Sequence, residues 1–392
     1  MVATLVLAGC GRPAPPLKVW AAPIGAPVPS GAYAELLAIG NEVEAEAAPL
    51  LTRTEFFPKQ RARAAAVCNP KMARLARAAK GDVDFAYAPR ALDVASPGRR
   101  GWRLIGRHLA WSLEDEVKAG QLRAAVNRYG LATRFGFDLT GGGAADLSLG
   151  LAIADDARRT IAPAIDGMDA STLDALASEA EIALAHKPAL MAAVRNETAN
   201  MRLLLQRLQD AYASNRLPEE AKALGGFVAD DAAYVQGLSS GKAAVFFNDL
   251  GEEIDDLEKE LGRDTTLAAP NRTWEFESKG SRGRMLRRAV LGGVEPILSM
   301  NDVTLARTRL LIAQCRLRSR VLKGQALPRR LEEIAGRGGK SAFADPFSGY
   351  DLVYRRNGKE FSVYSVGHDG KDDGGESDVG GLAPDLRLEN AP

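Results

Sequence analysis

Apolar residues recur at helical spacing through most of this 392-residue chain. The clearest stripe follows Pro188, and Arg, Asn, Glu and Gln occupy the opposite face. Spacings of three, four and seven residues place apolar side chains on one face of an α-helix. The pattern therefore predicts a long amphipathic helix that Pro188 opens at its first turn. The residues of the stripe are Leu190, Val194, Met201, Leu205, Leu208 and Tyr212.

The same periodicity predicts an irregular antiparallel helical array over residues 33–300. Ser171 and Asp174 are spaced like a capping box, and Pro49 and Pro58 interrupt the first helical stretch. A strict repeat of the tetratricopeptide kind is not visible. The expected helices cover about 33–80 with those breaks, 102–119, 121–135, 144–162, 171–186, the stretch after Pro188, and a pair within 217–262.

The pattern changes after residue 300. A last long helix is expected over 302–323, with Asn301-Asp302 as its N-terminal cap. Asp345-Pro346 is a turn signal. Two β-rich runs follow, at 352–354 and 361–364, with Asn357-Gly358 between them as a hairpin turn. The predicted fold is mainly α, with the helical array followed by a helix plus β-meander tip over 301–371 and an acidic, Gly-rich loop and tail over 372–392.

The segment after the second run carries the most specific chemistry. Residues 367–375, GHDGKDDGG, hold three carboxylates among four glycines. Such a loop can bend its backbone around a hard cation, and oxygen ligands suit calcium. A solvated loop or a frayed tail is the alternative interpretation.

Residues 345–375, DPFSGYDLVYRRNGKEFSVYSVGHDGKDDGG, resemble the C-terminal end of the major pseudopilin of type II secretion systems. The resemblance implies a short β-meander ending in a calcium loop. The implied ligands are the Val366 carbonyl and the Asp369 carboxylate, with Ser377 and Asp378 closing the site. The chain lacks the long apolar N-terminal helix by which pseudopilins polymerise, so we expect a pseudopilin-like tip and not a pilus subunit.

The first residues, MVATLVLAGCGRPAPP, resemble a bacterial lipoprotein signal. The resemblance implies removal of residues 1–9 and lipidation of Cys10, with residues 10–32 as a Pro-rich tether. Gly11 after the cysteine implies the outer membrane. No Lys or Arg precedes the apolar run, which departs from the usual pattern. A chance LAGC or a buried N-terminal strand is the alternative.

Charge and cysteine content limit the function further. Lys and Arg number 51 against 50 Asp and Glu, so the chain has no field that would attract nucleic acid. With Cys10 lipidated, Cys68 and Cys315 are the remaining thiols. In an oxidising envelope they would form a disulfide or stay as two separately buried thiols, and the sequence leaves both open.

Residues 69–90 add a second resemblance, to exported bacterial proteins of unknown function in which a helix, an Asp-aromatic segment and a helical array precede a similar C-terminal end. This resemblance implies a family without implying an activity. A P-loop, a nucleophile elbow and a zinc ligand cluster are absent from the sequence.

The leading hypothesis is a membrane-anchored, periplasm-facing envelope lipoprotein that acts as a non-catalytic interaction or scaffold protein, linked to type II secretion or pilus-like machinery. The alternative is an envelope hydrolase with its active site in a cleft of the helical array.

Overall fold

The computed structural model describes residues 16–18, 31–53, 55–80, 98–225, 228–272, 283–291, 295–336, 342–375 and 385–388. The chain is mainly helical with one small antiparallel sheet near its C-terminus, which confirms the predicted class. The helices are α1 (Gly31–Glu46), α2 (Ala48–Leu51), α3 (Pro58–Cys68), α4 (Met72–Ala78), α5 (Arg99–Lys118), α6 (Leu122–Leu139), α7 (Ala144–Ile161), α8 (Ala170–His186), α9 (Leu190–Ala213), α10 (Leu217–Lys222), α11 (Ala229–Gln236), α12 (Ser240–Asp264), α13 (Arg284–Leu291) and α14 (Glu295–Leu322).

The chain divides into two compact units. The larger unit comprises residues 25–197, 258–275 and 293–392, and the smaller comprises 1–24, 198–257 and 276–292. Two of the boundaries between the units fall inside helices, one in α9 and the other in α12.

The core of the larger unit lies between helices that pack through small residues. In this unit α6 contacts α7 and α8, while α14 packs on α7 and α8. Gly136 of α6 and Gly150 of α7 meet backbone to backbone: a Cβ on Gly136 would lie 2.5 Å from the Gly150 carbonyl oxygen. The abundant small residues of the sequence therefore bring these helices unusually close.

The α1 and α5 helices make a similar contact. A Cβ on Gly101 would collide with the Gly40 carbonyl oxygen, so neither position accommodates a side chain. The buried Trp102 indole donates to the Leu36 carbonyl oxygen at 2.6 Å. This hydrogen bond satisfies the one polar atom of a large ring inside the core.

Two predicted helix starts are wrong in detail. The α8 helix is capped by Asp169, whose carboxylate accepts from the Thr172 backbone N–H at 2.7 Å, and not by Ser171. The α14 helix begins at Glu295, so Asn301 and Asp302 lie inside it and do not cap it. Asp302 is buried and forms an ion pair with Arg272, with one N–O distance of 3.0 Å. A polar pair that looked like a cap in the sequence is therefore a buried tertiary contact.

The hairpin consists of β1 (Val353–Asn357) and β2 (Glu360–Tyr364), with Asn357 opposite Glu360. Asn357 ends β1, so the two-residue loop is Gly358-Lys359, one position later than predicted. Gly358 has φ of 63°, a conformation that favours glycine. Isolated bridges join Ala344 to Asp351 and Ser365 to Leu386 in place of a third continuous strand.

Residues in the hairpin and directly before it share the core of the helices. Leu352 and Val363 belong to the same buried cluster as the side chains of α5, α6 and α8. A second small cluster joins Ala306 of α14 to Phe347 and Val366. The C-terminal segment of the larger unit is therefore packed on α14 and is not an isolated appendage.

In the smaller unit, α10 and α13 each contact α11. Part of the predicted tether also packs in this unit: the Lys18 backbone N–H donates to Asn248 at 2.9 Å, and its ammonium pairs with Glu252. Arg287 of α13 is buried, pairs with Glu253 and lies 4.8 Å from the Phe246 ring centroid.

None of the helices within the described ranges has an apolar stretch that would span a bilayer.

Candidate functional site

The Asp345 carboxylate organises the C-terminal segment. The residue is 1% exposed, and its Oδ1 accepts from the Phe347 backbone N–H at 3.0 Å and from the Ser365 hydroxyl at 2.9 Å. Its Oδ2 accepts from the Val366 backbone N–H at 2.9 Å. Three hydrogen bonds offset the cost of burying this charge. The Asp-Pro turn that the sequence predicts is thereby tied to the end of β2.

The turn held by Asp345 presents an aromatic residue to solvent. The Asp345 N–H donates to the Tyr350 carbonyl at 2.6 Å, and the Gly349 N–H donates to the Asp345 carbonyl at 2.8 Å. The Tyr350 side chain is nevertheless 81% exposed. The half-buried Arg309 of α14 donates from its guanidinium to the Ala344 carbonyl, and burial lowers the pKa of Arg309. An exposed aromatic side chain on a fixed turn is typical of a contact surface.

The first carboxylate of the acidic loop, Asp372, is already paired with the guanidinium of Arg355. Asp372 accepts from Arg355 at 2.8 and 3.0 Å and from the Tyr364 hydroxyl at 2.6 Å. These contacts, led by the Tyr364 hydrogen bond, lower the pKa of Asp372. Burial, followed by the hydrogen bond to Asp372, raises the pKa of Tyr364 to about 12. Arg355 therefore already neutralises part of the charge of Asp372.

Asp385 is the carboxylate that the sequence analysis missed. It is 1% exposed, and its Oδ2 accepts from the Gly375 backbone N–H at 2.6 Å. Its Oδ1 is buried and has no hydrogen-bond partner within the described part of the chain. Burial, and secondarily the charges of Asp372 and Asp373, raise the pKa of Asp385. A cation next to Oδ1 would satisfy it, which is the chemistry that the loop composition predicted.

The predicted calcium ligands are only partly brought together. The Val366 N–H is held by Asp345, and the exposed Asp369 accepts from the Lys371 backbone N–H at 3.1 Å. Ser377 and Asp378 lie outside the described residues. Within the described ranges no group of three or more His, Cys, Asp or Glu side chains is arranged to hold a metal ion. Asp385 follows a Pro and has Leu on its other side, so its sequence context gave no signal of a ligand.

The cysteines occupy separate positions. Cys68 at the end of α3 and Cys315 within α14 are both free and fully buried. Burial raises the pKa of Cys68 to about 12 and also raises that of Cys315. Of the two alternatives, the structure shows two separate buried thiols and no disulfide between Cys68 and Cys315. Each side chain packs as a small apolar group in the helical core. Cys10 lies outside the described residues.

One surface cleft bears on the alternative hypothesis. The cleft, of about 600 Å³, lies between α3 and α5 and is lined by Phe56, Trp111 and three polar α5 residues, among other side chains. Those polar residues are His108, Ser112 and Asp115, at successive positions on one helix face. His108 is buried, its Nε2 lies 2.8 Å from Asn69 Oδ1, and burial lowers its pKa.

Comparison with known proteins finds no matching family, no similar curated protein and no similar solved structure.

Proposed function

We propose that this protein is a membrane-anchored lipoprotein of the cell envelope that acts as a non-catalytic interaction or scaffold protein. Cys10 carries the lipid, the helical units face the periplasm from the outer membrane, and the C-terminal segment contacts a partner. By its resemblance to a pseudopilin end, that partner is a protein of type II secretion or pilus-like machinery.

The observation that carries this proposal is the Tyr350 turn. Tyr350 is 81% exposed, yet the turn that presents it is fixed by the buried Asp345 carboxylate. A pre-organised aromatic residue loses little conformational entropy on binding, and aromatic residues are enriched among those that dominate interfaces.

The same proposal includes a calcium ion that has a structural role. The buried Asp385 oxygen lacks a partner among the described residues, and Asp373 and Asp372 lie near enough to raise its pKa. We place the ion at Asp385, and the ligands implied by the resemblance, Val366, Asp369, Ser377 and Asp378, would supply further oxygens. A bound ion would fix the loop that follows β2 and so support the turn at Asp345.

Thermal unfolding of the full chain in calcium and in chelator tests the ion. Calcium at about one hundred times its dissociation constant should add about 2.7 kcal/mol to the folded state if the unfolded chain does not bind it. Magnesium should substitute poorly because it requires octahedral geometry. Asp385→Asn should remove most of the difference, and Asp378→Asn tests the ligand implied by the resemblance. Identical wild-type curves in calcium and chelator would rule out the ion.

Site-specific photo-crosslinking in cells tests the docking role. A photoreactive phenylalanine analogue at position 350 should form an adduct with an envelope protein, because the native side chain is exposed there. The matched control is position 359, which is also exposed and lies at the hairpin turn. Equal adducts from both positions, or none from position 350, would contradict the proposal.

A second candidate function is a hydrolase with its site in the α3/α5 cleft. The supporting observation is that His108, Ser112 and Asp115 line one cleft at i, i+4 and i+7. Within the described part of the chain, His108 Nε2 contacts Asn69 Oδ1 and not the Ser112 hydroxyl. Ser112→Ala should abolish ester hydrolysis if this function is real, whereas the distant Ser148→Ala should not. Equal activity in wild type and Ser112→Ala would exclude it.

A further inference from the structure

A second cleft, of about 490 Å³, runs between α5 and α7. Arg99 of α5 pairs with Asp146 of α7, and further along both helices Gly106 meets Ile153. The two α5 residues are the same number of positions apart as the two α7 residues. The helices therefore run in the same direction along the cleft. A Cβ on Gly106 would lie 2.6 Å from Ile153 Cγ1, which explains how closely the helices approach at the base of the cleft.

Two guanidinium groups from one helix line this cleft. Arg103 and Arg107 lie one turn apart on α5, a spacing of about 5–6 Å between Cβ atoms. Neither has a carboxylate partner within ion-pair distance in the described part of the chain. Like charges at this spacing repel, and an anion between them would remove the repulsion.

Two contacts position the Arg107 side chain, and neither neutralises its charge. Its Nη1 donates weakly to the Arg53 carbonyl at 3.4 Å, and its guanidinium carbon lies 5.1 Å from the Phe56 ring centroid. Burial, and then the charge of Arg103, lower the pKa of Arg107, opposed by the charge of Asp156, which also lines the cleft. A positioned guanidinium with unused N–H donors is suited to a bidentate oxyanion.

The α7 side of the cleft adds to this preference. Ser148 lines the cleft, and within the described ranges its hydroxyl donates to a weak acceptor, Met300 Sδ, at 3.8 Å. Ala145, in the first turn of α7, also lines it, so the positive end of the helix dipole lies at this end. Among the described lining residues the carboxylate is Asp156, which pairs with Arg159 at 2.7 Å.

The remaining wall is apolar. Leu149, Ala152 and Ile153 line the cleft alongside the arginines. A volume of about 490 Å³ is larger than a phosphate ion requires and falls within the range of small-ligand sites. An occupant that used the whole cleft would carry an apolar body next to its anionic group.

We propose that this cleft binds a small organic phosphate, with the phosphate between Arg103 and Arg107 and the organic part against Leu149 and Ile153. A phosphate monoester carries close to two negative charges at neutral pH, matching two guanidinium groups, whereas a monocarboxylate would leave one unmatched. This site is separate from the C-terminal segment.

Isothermal titration of the full chain with phenyl phosphate tests the proposal. Phenyl phosphate should bind saturably and more tightly than inorganic phosphate, and phenol should not bind. Arg103→Gln and Arg107→Gln should each weaken binding about tenfold or more, since each removes charge-assisted hydrogen bonds. The matched control is Arg100→Gln, which changes an exposed arginine of the same helix that does not line the cleft, and it should change affinity less than about twofold.

Three results would overturn the proposal: no saturable binding of phenyl phosphate, equal losses in Arg100→Gln and Arg103→Gln, or benzoate binding as tightly as phenyl phosphate. Thermal unfolding of each variant checks that it is folded. Arg103 is exposed, so Arg103→Gln decides the outcome even if Arg107→Gln perturbs the fold.

Discussion

At the scale of single residues, the buried carboxylates of the larger unit differ in how they are satisfied. Asp345 accepts three hydrogen bonds, whereas Asp138 in α6 has a buried Oδ2 without a partner among the described residues. A hydrogen-bonded carboxylate organises the backbone around it, and an unsatisfied one penalises its own ionisation. The two residues therefore predict opposite consequences of substitution.

Asp345→Ala should destabilise the larger unit by about 3 kcal/mol or more, because it leaves two buried backbone N–H groups without an acceptor. Asp345→Asn should have a smaller effect because its amide oxygen retains part of the network. Urea unfolding measures both. Asp369→Ala, tested in chelator, is the control, since among the described residues this exposed carboxylate accepts from the Lys371 N–H alone. A loss no larger than that of the control would contradict the role of Asp345.

Asp138 gives a prediction of pH dependence. Burial raises its pKa to about 8, opposed by the charge of Arg134. A raised folded-state pKa means that the folded chain keeps a proton which the unfolded chain releases near its ordinary pKa of about 4. The resulting stability is fully present below about pH 4 and is lost as the pH rises toward about 8.

Asp138→Asn should therefore gain stability relative to the wild type as the pH rises from 5 to 8, by at most about 1.4 kcal/mol per pH unit. Urea unfolding at several pH values measures the difference. The exposed Asp115→Asn on α5 controls for the loss of one charge. Parallel pH profiles for wild type and Asp138→Asn would show that Asp138 does not titrate in this range.

At the scale of elements, helix contacts in the larger unit depend on glycine where a neighbouring backbone touches. Gly136 and Gly150 place α6 against α7, and Gly40 and Gly101 place α1 against α5. Apolar periodicity predicted these helices, but it could not show which glycines lie at a crossing, because a glycine contributes nothing to an apolar stripe.

Gly150→Ala should destabilise the fold by about 1–3 kcal/mol, since its new methyl group would collide with the Gly136 carbonyl and force the helices apart. Gly167→Ala is the control: its Cβ would meet nothing within 4 Å, so the change should stay within about 0.5 kcal/mol. Thermal or urea unfolding measures both. Equal effects of the two substitutions would mean that the α6–α7 contact tolerates a side chain.

At the scale of the whole molecule, the proposed function depends on where the chain is anchored. The proposed function has the lipid at Cys10, and residues 16–18 are packed in the smaller unit through Asn248 and Glu252. An anchor at residue 10 would therefore be followed within a few residues by folded structure. The smaller unit would then be held close to the membrane.

Expressed in a bacterial host, the full chain should incorporate labelled fatty acid and partition into a detergent phase, and Cys10→Ala should do neither. Cys68→Ala is the matched control because Cys68 is buried in the helical core, where a lipid cannot be attached. If Cys10→Ala labels and partitions as the wild type does, the lipoprotein assignment is wrong.

The sequence by itself determined the helical class, the positions of most helices and the hairpin, because apolar periodicity, prolines and turn residues act over a few neighbouring positions. Tertiary structure decided the roles of the polar residues. Asn301-Asp302 had the form of a helix cap, yet Asp302 pairs with Arg272 inside the fold. Asp345 was recognised only as a turn residue, although its carboxylate reaches Ser365 and Val366. Asp385 had no local signal, because its importance arises from burial next to residues 372–375. The physical reason is the same in each case: desolvation and pairing depend on neighbours that are distant in sequence and that only the packed chain brings together.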